Sequence, residues 1–536
     1  MTLKTLRSVA VVLTAIAFVS LFRSIMLDGA GTSPAELLWR LLLLLFTYFL
    51  FHISPHSRQL TTHGSAGWAR SSDLKGLLAP ASAPIPPGGL FVAPYGRRRK
   101  LALPPELAQR HVLLVGGTGT GKTRCFFMPN TAYATGSYVA TDPKGELWQH
   151  TSGYHQQAWR FAPREPDASA GFNWIPLCRD EYMAQLLAAA VLQIDENTRE
   201  EPFWKQSELQ LCAALFAHAA LQPVPTPASA SQLLRLGPTG VLEPLFGSLS
   251  PLARACATFL ADLKPETRAG IVLGVANRLT FLQDPAIRRF TSAQLRPPDF
   301  SVLMDQPIAV CWVVHEHDAA LLAPLSSLFF TVLLDQLVRR DPGAVPVTLY
   351  LDEFANIGRL PHFPTTISVA RGRGLSLVLG VQSLSQLEGL YGRAGAATIR
   401  TNCATKLILH GLEFESAEQV SRALGDTTVW DELASRRPAE GMPFTTVTTH
   451  SEQHLQRRLL TADEVRRIGD HEMLILVSNL RPIRARREFW DRAPVTAFAP
   501  TLGPERLAQP APAPPPRPGT RPQPLRQRLR QLDAGE

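Results

Sequence analysis

The sequence contains no Cys-x-x-Cys pair. Its six cysteines (Cys125, Cys178, Cys212, Cys256, Cys311 and Cys403) are scattered along the chain, which excludes a zinc ribbon or a disulfide framework and points to reduced thiols in a cytosolic body. No internal repeat is present, so stacked-repeat architectures are excluded too. Nor is there an interleaved aromatic and basic stripe or a base-reading module of the kind that announces sequence-specific nucleic-acid binding. Charge is modest: 18% of residues are Asp, Glu, Lys or Arg, and the net charge is +9. That balance suits a nucleic-acid or anionic-lipid partner without requiring one. Apolar residues are abundant, at 45% of 536, enough for two or three domains and an apolar appendage.

The appendage is at the N-terminus. Val9 to Leu27 carries a single charge, Arg23, and Glu36 to Ile53 is a second apolar run with Arg40 near its start. Each has the length of a bilayer-spanning helix. The short connection DGAGTSPA between them makes residues 1–55 read as a transmembrane hairpin. Lys4 and Arg7 before the first span and Arg58 after the second place both flanks inside. A cleaved signal peptide followed by a stop-transfer helix is the competing reading, and it leaves the large body on the same cytoplasmic side.

Residues 56–110 form a membrane-proximal linker and the start of the body, Pro/Gly-rich and then basic at GRRRK (Gly96 to Lys100). That run reads as a solvated basic loop, with contact to DNA or anionic lipid as the alternative. HVLLVG, SYVATD, PIAVCWVV, VTLYLDEF and LSLVLGVQ are short apolar runs suited to buried parallel strands. Between them, residues 180–300 have helical spacing throughout. The pattern predicts an α/β domain over 111–179 and 301–500, interrupted by an all-helical insertion over 180–300. Residues 501–536 are Pro-rich and basic with little to bury, a composition expected of a disordered tail.

One stretch carries chemistry outright. Gly116, Gly117, Thr118, Gly119, Thr120, Gly121, Lys122 and Thr123 satisfy the P-loop pattern, after a strand and before a helix. The glycines let backbone N–H groups turn inward around phosphates, and the following helix offers its positive end to the same charge. Lys122 would reach the β- and γ-phosphates of ATP, and the Thr123 hydroxyl would hold Mg2+. A P-loop also needs an acid at the end of another strand, and YLDEF supplies two: Asp352 for the metal and Glu353 to polarise the attacking water. Gln382 ends a further strand, placed either to sense the γ-phosphate or to cap the turn.

Together these residues resemble a known family, the type IV secretion coupling proteins, or TraG-type ATPases of conjugation. The resemblance rests on HGSAGWAR (His63 to Arg70), GGTGTGKT, the pair Pro129-Asn130, DPKGEL (Asp142 to Leu147), FNWIP (Phe172 to Pro176) and PFW (Pro202 to Trp204). It continues through LDEFANIGRLP (Leu351 to Pro361), ARGRGLSLVLGVQSLSQL, Tyr391-Gly392, RRLLTADEV (Arg457 to Val465) and the REFWD segment ending at Asp491. The resemblance implies a RecA-like P-loop NTPase domain with an inserted all-helical domain and an N-terminal two-helix transmembrane hairpin. It implies a homo-hexamer at the bacterial inner membrane that passes relaxase-bound single-stranded DNA, or protein effectors, to the components of a type IV secretion channel. In that setting Arg371 matches the arginine that reaches a neighbouring subunit's nucleotide, with Arg373 able to take the same part, and Gln382 matches a shared glutamine. Asp142 and Lys144 match a strand-end turn for which no nucleotide contact is claimed. The loop departs from the T-G-S-G-K core of many relatives yet keeps small residues and a metal-binding hydroxyl. The insertion is weakly similar to its counterparts, so the resemblance says least about cargo.

Overall fold

The computed structural model describes residues 62–193, 202–292, 297–439 and 442–489. The expected transmembrane hairpin (1–55) and basic tail (501–536) lie outside the described residues.

Strands β1 (Leu78–Pro80), β2 (Leu90–Tyr95) and β3 (Arg99–Leu103) form a small antiparallel sheet in the order β1-β3-β2. This sheet lies where the sequence reads as a Pro/Gly-rich linker. The GRRRK run spans the β2–β3 turn, but its last residue is no solvated cation. Lys100 is 3% exposed, and its Nζ donates to the carbonyl of Ala81 at 3.1 Å and to that of Ala83. Burial lowers its pKa from the usual lysine value.

Next in the chain come β4 (Val112–Val115), β5 (Ser137–Thr141), β6 (Ala158–Phe161), β7 (Ala309–Trp312), β8 (Val347–Leu351), β9 (Leu375–Val381) and β10 (Thr405–Ile408). A hairpin follows, β11 (Asp426–Ala439) and β12 (Met442–Arg458), and then β13 (Glu472–Val477) and β14 (Ile483–Arg486). The large sheet has the order β14-β13-β10-β4-β9-β8-β5-β7-β6. From β10 to β6 all neighbours are parallel, and β13 and β14 close one edge antiparallel. Strands β4, β5, β8 and β9 are buried along their whole length, as expected of largely apolar strands covered on both faces.

Between β6 and β7 the regular elements of the described residues are helical. They include Glu181–Leu192, Pro202–Ala220, Pro227–Leu234, Pro251–Ala261, Pro265–Arg278 and Pro285–Ser292. The last five each open on a proline, whose fixed φ and missing N–H cost nothing in a first turn. Asn173 ties this region down by donating from Nδ2 to the Pro225 carbonyl at 2.8 Å. Helix Ala319–Arg339 is long and apolar enough to cross a membrane, but it is largely buried and packs as a core helix. Its Phe329 stacks on Trp312 of β7 with ring centroids 4.3 Å apart.

The described chain separates into two compact units, 67–424 with 459–489 and 62–66 with 425–458. The second is the β11–β12 hairpin, paired in antiparallel register from Asp426 and Arg458 up to Ala439 and Met442, with Ser65 bridged to Thr427. The expected α/β span of 301–500 took no account of this hairpin.

Candidate active site

The sheet order explains the site. β4 and β8 flank β9, all three run parallel, and their C-terminal ends therefore open on one edge, the usual position for a ligand in an open α/β sheet. The P-loop leaves β4, Asp352 and Glu353 leave β8, and Gln382 leaves β9.

The helix after the loop begins at Lys122, winds as a π-helix over Thr123–Phe127 and continues as an α-helix over Met128–Tyr133. Two glycines of the loop are required by their surroundings. A Cβ on Gly117 would stand 2.5 Å from the Gly411 carbonyl oxygen, and Gly121 has φ +79° with Phe489 against it. Thr120 Oγ1 donates to the Gly117 carbonyl at 2.8 Å and holds the turn.

Every side chain named from sequence on these three strand ends is brought together. Thr123 Oγ1 donates to Asp352 Oδ2 at 2.5 Å. Lys122 Nζ donates to the Gly116 carbonyl at 2.9 Å and lies 3.0 Å from Glu353 Oε1. Gln382 Nε2 donates to Glu353 Oε2 at 2.9 Å, while Thr118 Oγ1 donates to Gln382 Oε1 at 3.0 Å. Gln382 is thus a bridge from loop to acid. Asp352 also accepts the Glu353 N–H at 3.0 Å, and its own carbonyl accepts from Thr141 Oγ1 at 2.7 Å, tying β8 to β5.

Asp352 is buried, and burial pushes its carboxyl up to about 6; the Thr123 hydroxyl and Lys122 oppose the rise while Glu353 adds to it. A hydroxyl and a carboxylate converging beside a loop of inward-turned amides offer hard oxygen donors next to phosphate-binding N–H groups. That donor set fits a magnesium-bound nucleoside triphosphate.

Arg371 is placed elsewhere. It follows helix Phe363–Ala370 and precedes β9, whereas Gln382 follows β9. The length of the strand, about 20 Å at roughly 3.3 Å per residue, separates it from the P-loop of its own chain. It is exposed and makes no ion pair among the described residues, while Arg373 pairs with Asp341 at 2.6 Å. His111, just before β4, braces this end of β9. Its Nδ1 accepts the Leu377 N–H at 3.2 Å and its Nε2 lies 2.9 Å from the Ile367 carbonyl, so it is a neutral imidazole donating from Nε2. Burial, aided by the charge of Arg371, lowers its pKa to about 4.

The family model described as type IV secretory system conjugative DNA transfer matches residues 93–500. The chain belongs to this family. It is 26% identical over 457 residues to a conjugal transfer protein TraG of Escherichia coli, covering 76% of this chain and 71% of that one. It is 27% identical over 436 residues to a protein VirD4 of Rhizobium radiobacter, covering 75% and 60%. Among solved structures, the plasmid coupling protein TrwB in complex with ADP and Mg2+ superposes with a TM-score of 0.59 at 19% identity, covering 81% of this chain and 99% of that one. The shared fold is the RecA-like P-loop NTPase domain.

Several segments carrying the coupling-protein resemblance prove to be braces. Asn130 exchanges hydrogen bonds with the backbone of Phe91, accepting at 2.8 Å and donating at 2.8 Å, and so pins β2 to the P-loop helix. Asp142 accepts the Trp148 N–H at 2.8 Å within its own turn, and Lys144 is exposed opposite Glu316. The Tyr391 hydroxyl accepts the Leu360 N–H at 3.1 Å, locking the chain beyond the two acids. Two residues at the site were missed from sequence. Arg487 is 3% exposed and donates to the Thr120 carbonyl, and Phe489 covers Gly121. The quoted REFWD segment contains both, but nothing local in it signals a P-loop contact.

Proposed function

We propose that this coupling-family chain is an ATP-hydrolysing motor that works as a homo-hexamer at the bacterial inner membrane. It powers transfer of relaxase-bound single-stranded DNA, or of protein effectors, into a type IV secretion channel. The observation that carries the reading is the convergence of Lys122 and Thr123 with Asp352, Glu353 and Gln382 at the ends of three adjacent strands.

In this reading the amides of Gly117 to Thr123 bind the phosphates of ATP. Lys122 exchanges Glu353 for the β- and γ-phosphates. The exchange frees the Glu353 carboxylate to take a proton from the attacking water. Gln382, bonded on one side to Thr118 and on the other to Glu353, reports whether that exchange has happened. Thr123 and Asp352 would hold Mg2+, which would supply positive charge against that developing on the phosphoryl oxygens. Arg371, too far from its own P-loop, supplies a cation to the site of a neighbouring subunit. DNA contact in such a ring is made by pore loops to phosphates, without base readout. The transmembrane hairpin anchors the body on the cytoplasmic side, where ATP is present.

The test is ATP turnover by the purified full chain with and without single-stranded DNA, alongside Lys122→Ala and Glu353→Gln. Turnover that rises several-fold with DNA and is lost in both variants supports the motor. Turnover indifferent to DNA moves the cargo to protein, and none in a hexameric sample favours the alternative, a nucleotide-dependent docking scaffold.

A further inference from the structure

The P-loop strand β4 has two neighbours in the sheet, β9 and β10. On the β9–β8 side stand Gln382, Glu353 and Asp352, which face the γ-phosphate end through Lys122. On the other side β10 is the neighbour of β4, followed by β13 and β14. The chain leaving β14 returns to the loop there. Arg487 donates its backbone N–H to the His471 carbonyl at 2.9 Å and its guanidinium to the Thr120 carbonyl. Phe489 then lies across Gly121 so closely that a Cβ on that glycine would be 2.7 Å from its Cε1. The ring is only partly buried. The Arg487 guanidinium is 5.2 Å from its centroid, and that of Arg124, the residue after Thr123, is 5.3 Å away. His471 meets the ring edge-on at 5.7 Å.

A triphosphate held with its γ end toward Glu353 must send its nucleoside out past Thr123, toward this second flank. We propose that Phe489 is the stacking platform for the nucleobase, and that Arg124 is the exposed lid that swings outward as the base enters. The proposal rests on the P-loop reading above and adds to it the residues that hold the base. A partly buried aromatic ring with two guanidinium groups near its centroid suits a flat heterocycle and favours no one base.

Calorimetric titration of the full chain with Mg-ATP and, separately, with magnesium tripolyphosphate separates the possibilities. Phe489→Leu keeps an apolar cover over Gly121 but removes the π face, and Phe489→Tyr restores it. The leucine variant is expected to bind ATP roughly 5- to 150-fold more weakly, the range for one base–aromatic stack. Its affinity for tripolyphosphate should be unchanged, and the tyrosine variant should bind ATP like the parent. Equal loss of both ligands in Phe489→Leu would mean a structural plug and overturn the proposal. So would unchanged ATP binding in that variant, or a tyrosine variant as weak as the leucine one. Lys122→Ala reports separately on the loop: if it binds both ligands like the parent, the P-loop reading itself fails.

Discussion

Glu353 meets Lys122 at 3.0 Å, and it does so from a left-handed backbone with φ 52° and ψ 53°. A non-glycine residue there is strained by about 1–2 kcal/mol, and such strain persists where surrounding contacts fix it. The contacts are visible: the Glu353 N–H on Asp352, Oε1 against Lys122 and Oε2 against Gln382. The turn swings the carboxylate from the end of β8 across β9 to the loop on β4. In this form the two charges occupy each other, and in the proposed reading nucleotide binding parts them.

Glu353→Gln should therefore separate binding from chemistry. The amide keeps the shape and can still bond Gln382, but it releases Lys122 and cannot take a proton. Turnover is expected to fall by at least about 100-fold, the low end of general-base effects, with ATP affinity equal to the parent or tighter. Single-turnover hydrolysis and equilibrium ATP binding check the two halves. A variant that loses affinity as well would show the ion pair to be part of the binding site.

With Asp352 as the proposed magnesium residue, metal binding is expected to depend on pH. With its carboxyl at about 6 instead of the usual 3.8, the folded apo protein binds a proton that the unfolded chain releases. This contribution to stability is present below about pH 4 and is lost as pH rises to about 6. Magnesium needs the ionised carboxylate, so Mg2+-dependent nucleotide affinity should fall below about pH 6 and level off above it. Asp352→Asn should weaken Mg2+ dependence at every pH and flatten that profile. A parent profile already flat from pH 5 to 8 would contradict the assignment.

The legible parts of the site were those in which each local segment carries its own signal. GGTGTGKT holds its loop glycines, lysine and hydroxyl in eight consecutive residues. LYLDEF and LGVQ mark strand ends by an apolar run stopping at a polar residue. Arg487 and Phe489 carried no such signal, since their contacts with Thr120 and Gly121 bridge more than 360 residues of sequence. β1 to β3 were hidden by prolines between short strands. Lys100 looked solvated because its neighbours in GRRRK are arginines, and only the fold turns it inward.

That inward turn predicts a contrast within GRRRK. Lys100→Met removes the donor to the half-buried Ala81 and Ala83 carbonyls in the turn after β1, at a cost of roughly 1 kcal/mol, and should lower Tm without changing DNA affinity. The double substitution Arg97→Ala, Arg98→Ala, at exposed positions of the same run, should leave Tm unchanged. Thermal melts and single-strand binding at two salt concentrations distinguish the effects. A Lys100→Met protein with parental Tm would refute the buried role.

Arg371 gives the test of cooperation between subunits. It stands at the start of β9 and the P-loop at the end of its neighbour β4, so a chain cannot place this guanidinium on its own nucleotide. Arg371→Ala should keep ATP binding and lose turnover by about 1000-fold, the lower range for an arginine finger. Arg373→Ala, which breaks only a surface pair with Asp341, should retain it. The decisive experiment mixes two inactive proteins, Arg371→Ala and Glu353→Gln, under conditions that let subunits exchange. Some interfaces then join an intact Glu353 on one chain to an intact Arg371 on the next, and turnover should reappear in proportion to their number. A mixture as inactive as its components would place Arg371 outside the catalytic interface and leave the finger to another residue.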